Sequence, residues 1–115
     1  MFVHHVFFWL KENLSGADIQ KFEEGVKSLL NIDTVKFADV GKPTSTDRPI
    51  IERTYSYSLL TVFDNKEDHD AYQPPNKIHK KFVDECAHLW TKVLIYDSET
   101  AWFIFFMPKY FYHEL

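Results

Sequence analysis

The run Phe2-Val3-His4-His5-Val6-Phe7-Phe8-Trp9-Leu10 limits the fold more than any other part of the chain. It is rich in β-branched and aromatic residues and stops at Lys11-Glu12-Asn13, which reads as a β-strand. Side chains alternate between the two faces of a strand, so Val3, His5, Phe7 and Trp9 share one face, and Phe2, His4, Val6, Phe8 and Leu10 share the other. Neither set suits water. Each face of this strand needs a cover, one from within the chain and the other from a tail or a second subunit.

The rest of the chain supplies one cover. Ser15-Gly16-Ala17-Asp18 has the form of a helix cap, and Ile19, Phe22, Val26, Leu29 and Leu30 follow at helical spacing. A second strand is expected from about Thr34 to Val40, and the stretch from Lys42 to Arg53, with prolines and no periodicity, reads as a loop. Tyr55 to Phe63 reads as a third strand. Asp64-Asn65 caps a short helix that runs to about Tyr72, and Pro74-Pro75 interrupts it. A longer helix then starts near Asn76, with Ile78, His79, Phe82, Val83, Cys86, Leu89 and Trp90 on its apolar side, and Lys92 to Asp97 forms a last strand. The order βαββαβ predicts an α+β, ferredoxin-like domain, a four-stranded antiparallel sheet with its helices on one face. The other face predicts a homodimer.

Composition narrows the function. At 115 residues the chain has room for one core. A net charge of -4 offers no field for phosphates, so neither nucleic acid nor an anionic membrane is an expected partner. The single cysteine, Cys86, excludes an internal disulfide, and no signal-peptide pattern opens the sequence, which fits a cytoplasmic setting. The six histidines include no pair at helical i, i+4 spacing and no Cys-x-x-Cys partner, so spacing predicts no metal site and no cofactor. The segment 100–115 contains Trp102-Phe103-Ile104-Phe105-Phe106-Met107, too short to span a bilayer. It is expected to add an edge strand or lie across a partner.

Several segments together carry a family resemblance: the opening Val3 to Lys11 run, the helix end Ala71-Tyr72, the proline-rich step into Ile78-His79, and the closing Lys92-Val93-Leu94-Ile95-Tyr96-Asp97. Over residues 2–99 the chain resembles the stress-responsive A/B barrel (Dabb) family. The resemblance implies a dimeric α+β barrel, and a plant branch of that family cyclises polyketides without metal or cofactor. Carried over by position, it implies an acid–base role for Tyr72 and His79, with His5 as the first-strand histidine and Asp97 as the aspartate that ends the last strand. A further pocket histidine of the cyclases falls where this chain has Tyr57, and the usual His-Pro-x-His step is here Pro74-Pro75-Asn76-Lys77-Ile78-His79.

If the odd residues of the first strand face the helices, His5, Tyr57, Tyr72, His79 and Asp97 gather in one aromatic-walled cavity. It suits a small, partly apolar molecule with an oxygenated end. An Asp97–His79 pair is then expected to remove a proton beside a carbonyl, with Tyr72 donating to the developing oxygen anion. On the same parity His4 belongs to the dimer interface, while His69, between two aspartates, reads as a solvated helix residue. Two other readings use the same residues: a dimeric stress or interaction protein whose polar groups are structural, and a cofactor-independent monooxygenase suggested by fold analogy.

Overall fold

The structure is a computed structural model and describes residues 1–73 and 76–102. Its elements are β1 (Phe2–Leu10), α1 (Gly16–Ser28), β2 (Phe37–Gly41), β3 (Tyr57–Phe63), α2 (Lys66–Tyr72), α3 (Lys77–Cys86) and β4 (Trp90–Glu99). Single 3-10 turns, Leu29–Asn31 and Ala87–Leu89, close α1 and α3. The four strands pair antiparallel in the order β2-β3-β1-β4, as the ferredoxin-like expectation requires.

Local chemistry sets the helix starts. Ser15 Oγ accepts from the Asp18 amide at 3.1 Å, and Asn65 Oδ1 accepts from the Asp68 amide at 2.8 Å. Asn76 Oδ1 accepts from the amides of Ile78 at 2.9 Å and His79 at 3.3 Å, so the cap of α3 also fixes the backbone that carries His79. Helices α1 and α3 pack closely at Gly25. A Cβ there would stand 2.9 Å from both Cys86 Sγ and Phe82 Cδ1.

The core lies between the sheet and the helices. Phe22, Val26 and Leu29 of the first helical segment are buried, as are Phe82, Cys86 and Leu89 of the second. Ile19 and Leu30, expected on the buried stripe, are exposed instead. On β1 the buried residues are Phe2, His4, Val6 and Phe8. This reverses the parity expected for that strand. The cause is register: Phe2, His4, Val6 and Phe8 pair with Phe63, Thr61, Leu59 and Tyr57, the buried set of β3. With both faces of β1 apolar, its partners decide which face turns inward, and a slip of one residue reverses every side chain.

The outer face is aromatic. Phe7 packs against His5, Tyr55 and Tyr96, with ring centroids at 4.3, 5.0 and 6.1 Å. Phe37 and Tyr96 are exposed. After β4, the Thr100 amide donates to the Met1 carbonyl at 3.0 Å, and Trp102 is exposed. The proline step at 74–75 and the tail from 103 onward, with the edge-strand expectation placed on it, lie outside the described residues. Among the described residues, no helix is long and apolar enough to cross a membrane.

Candidate functional site

His4 is the centre of the polar cluster beneath the helices. Its strand neighbours in register are Thr61 on one side and Asp97 on the other, which puts all three side chains on the inner face. Directly opposed residues of antiparallel strands come within reach of each other. Nδ1–H of His4 donates to Asp97 Oδ1 at 2.5 Å, with the imidazole buried and the carboxylate half-exposed. Thr61 Oγ1 donates to the His4 carbonyl at 3.0 Å.

The short helix α2 lays two residues over this centre. Three positions apart, His69 and Tyr72 share its inner face. His69 stacks on Phe2 with centroids 4.2 Å apart and lies 4.8 Å from the His4 ring. Its Nδ1–H donates to Asp70 Oδ1 at 3.0 Å, and Gln73 Nε2 donates to its Nε2 at 3.2 Å. The Tyr72 ring is fully buried, edge-on to His4 at 5.8 Å and to His79 at 5.1 Å. His79 Nδ1 is buried with no hydrogen-bond partner among the described residues.

A cavity of about 160 Å3 opens beside these groups, with His4, Tyr72, Gln73 and His79 as its polar lining and Val6, Phe8, Leu59, Trp90, Val93 and Ile95 among its apolar walls. Val93 and Ile95 belong to the edge strand β4 and remain partly open to solvent, so the cavity is reached from that side.

Burial tunes the groups. It pushes the His4 pKa below the usual imidazole value, against the opposing pull of the Asp97 hydrogen bond and charge. His79 is lowered by burial first and then by His4 and His69, with no carboxylate to compensate. Burial alone raises the Tyr72 phenol well above the ordinary tyrosine value. Near neutral pH burial therefore favours the neutral imidazoles of His4 and His79 and the protonated phenol of Tyr72.

Of the residues expected at the site, the structure brings Tyr72, His79 and Asp97 to one end of the inner face and separates the other two. His5 points to the outer face, opposite Leu60 and Tyr96. Tyr57 faces inward, but its hydroxyl donates to Glu23 Oε2 at 2.7 Å, away from the cavity lining. Asp97 pairs with His4 rather than with His79. His69, expected in water, is only 8% exposed. Sequence reasoning missed His4 and His69 as members of the cluster. The spacing of His69 from Tyr72 was the available signal for one, whereas His4 depends on the pairing of β1 with β4, which no local pattern encodes.

The family model for the stress responsive A/B barrel domain matches residues 2–100. The chain belongs to this family. A comparison with curated protein sequences finds no match. Among solved structures, an Arabidopsis thaliana protein is 22% identical, covering 90% of this chain and 99% of its own, with a TM-score of 0.73. A dimeric ferredoxin-like protein of Thermobifida fusca is 14% identical over 86% of this chain and 90% of its own, with a TM-score of 0.68. The hydroxynitrile lyase of Passiflora edulis is 21% identical over 90% of this chain and 96% of its own, with a TM-score of 0.65. At these identities the likeness to the solved structures is one of fold.

Proposed function

We propose that this A/B barrel protein is a homodimer whose protomers each bind a small, largely apolar molecule with an oxygenated end. His4 and Asp97 then act on it as a cofactor-free general base. The observation that carries this reading is the 2.5 Å hydrogen bond to Asp97 Oδ1 from Nδ1 of His4, whose imidazole lines an apolar cavity. A carboxylate on one imidazole nitrogen fixes the tautomer, leaves Nε2 as the base and stabilises the imidazolium that forms. Of the two cavity-lining histidines, His4 has this support and His79 does not. Tyr72, held protonated by burial, is the donor for a developing oxygen anion, and His79 binds the ligand alongside it.

Cavity size sets the substrate class. A dry engineered cavity of about 150 Å3 accepts benzene, so a volume of about 160 Å3 suits a molecule of about one ring. Proton removal next to a ketone, or from the hydroxyl of a cyanohydrin as its carbon–cyanide bond breaks, needs only these groups. The second reaction is that of the Passiflora neighbour's enzyme class. Support for the homodimer comes from the aromatic outer face around Phe7 and from the dimeric Thermobifida neighbour.

The test is solvent exchange. In deuterated water, acetophenone should exchange its methyl protons faster with the protein present, and Asp97→Asn should lower that rate by about 10²-fold, the low end of general-base effects. Ligand binding followed by imidazole NMR should survive the substitution. Binding without exchange would reduce the site to a binding pocket, and no binding of one-ring compounds would end the proposal.

A further inference from the structure

We propose that His4, His69 and Asp97 form a binding site for a divalent late first-row transition ion, of which zinc is the best match. One nitrogen from each imidazole and one carboxylate oxygen lie within 4.8 Å of one another. Two imidazoles and a carboxylate make up a common ligand set for zinc and iron(II) sites that keep open positions. Donors around a tetrahedral zinc stand roughly 3.3–3.6 Å apart at the usual bond lengths. The three side chains therefore need to adjust by about an ångström, with no rearrangement of the strands or helix that carry them.

The surroundings agree with this assignment. Ligating histidines characteristically donate their second ring nitrogen to a carboxylate or carbonyl, which fixes the tautomer and strengthens the ligand. Asp70 plays that part for His69, accepting from Nδ1 at 3.0 Å, and is itself held by Lys66 at 2.8 Å. Nε2 of His69 is then the ligating atom, released by the Gln73 amide that now donates to it. Both imidazoles are buried in aromatic surroundings, beside Phe2, Phe63 and Tyr72. The half-exposed Asp97 carboxylate gives the ion its route from solvent. The ligands come from β1, α2 and β4, far apart in sequence, which is why no spacing motif announces them.

This site does not rest on the acid–base reading. The ion would take the place of the proton shared by His4 and Asp97, so metal binding and proton abstraction compete for the same pair. Three protein ligands leave at least one position for water or for the oxygenated end of a small molecule.

The test uses the full chain, stripped with chelator, with zinc titrated by calorimetry at neutral pH and cobalt(II) as a spectroscopic probe. One equivalent of zinc per chain is expected, with visible cobalt bands of tetrahedral intensity. Asp97→Asn and His69→Ala should each weaken zinc binding by well over tenfold, and Asp70→Asn by about tenfold, the effect of losing a carboxylate behind a ligand. The exposed His88→Ala should change nothing. Because Asp97 and Asp70 are both solvent-accessible, their variants report on the site even if His69→Ala does not fold. Absence of stoichiometric binding, or binding that Asp97→Asn and Asp70→Asn leave intact, would overturn the proposal.

Discussion

Lowering the pH from about 7.5 to about 5.5 should destabilise this protein through His4 and His79. His4 and His79 both have folded-state pKa values held below the ordinary 6.5, chiefly by burial. Such a group binds fewer protons when folded than when unfolded, so stability rises with pH across the window. Its contribution is whole above 6.5 and is lost as pH falls from there toward the folded value. Each histidine kept neutral while its unfolded counterpart is charged contributes a slope of at most about 1.4 kcal/mol per pH unit, and the pair at most about 2.7. Domains of this size have about 5–15 kcal/mol in total, so such a loss is easily measured. Urea unfolding at fixed protein concentration, followed by fluorescence of Trp90 against Phe8 and Phe82, reads it directly. His79→Leu removes one of the two groups together with a buried nitrogen that has no partner among the described residues, whose desolvation costs about 1–3 kcal/mol. That variant should be more stable at about pH 5.5 and should show roughly half the slope. A midpoint unchanged between the two pH values, or a His79→Leu slope equal to that of the parent, would refute the reasoning.

Three further outcomes follow from the packing. Tyr57→Phe loses the hydrogen bond to Glu23 and should cost about 1.5–3 kcal/mol in urea unfolding, since the acceptor is charged. The phenol of Tyr57 is pushed up to about 12, by burial first and by Glu23 second. The stability it contributes is complete below pH 10 and fades toward about 12, which an alkaline titration of the parent and variant would resolve. Phe7→Glu places a charge at the centre of the outer aromatic face and should yield folded monomers at micromolar concentration by sedimentation, with far-UV circular dichroism unchanged. Gly25→Ala should lower stability by about 1 kcal/mol by thermal melt: the helix gains about 1 kcal/mol, but a Cβ at 2.9 Å from Cys86 and Phe82 costs about 1–3.

The fold was legible because its signals are local. Caps at Ser15, Asn65 and Asn76, the helical spacing of Phe22, Val26 and Leu29, and the apolar strand runs each act within a few residues, and the structure contains the elements they specify. The site was legible only in part, because it depends on register. The run Phe2 to Leu10 is apolar on both faces, and that property, which pointed to a second cover, also removed the contrast that would have said which histidine turns inward. His4 and His5 are adjacent and chemically identical. What separates them is that His4 stands opposite Thr61 and Asp97 while His5 stands opposite Leu60 and Tyr96. Strand alternation alone puts Asp97 on one face with Val93 and Ile95, but its bond to His4 rather than to His79 is set by cross-strand pairing, which spacing does not encode. The inward strand histidine gains a carboxylate, an α2 imidazole and a cavity together, because the register that sets His4 opposite Asp97 also turns it toward His69. A one-residue slip of β1 would bring His5 to that position and turn His4 outward, so which histidine meets Asp97 and which joins the outer aromatic face are consequences of a single pairing decision.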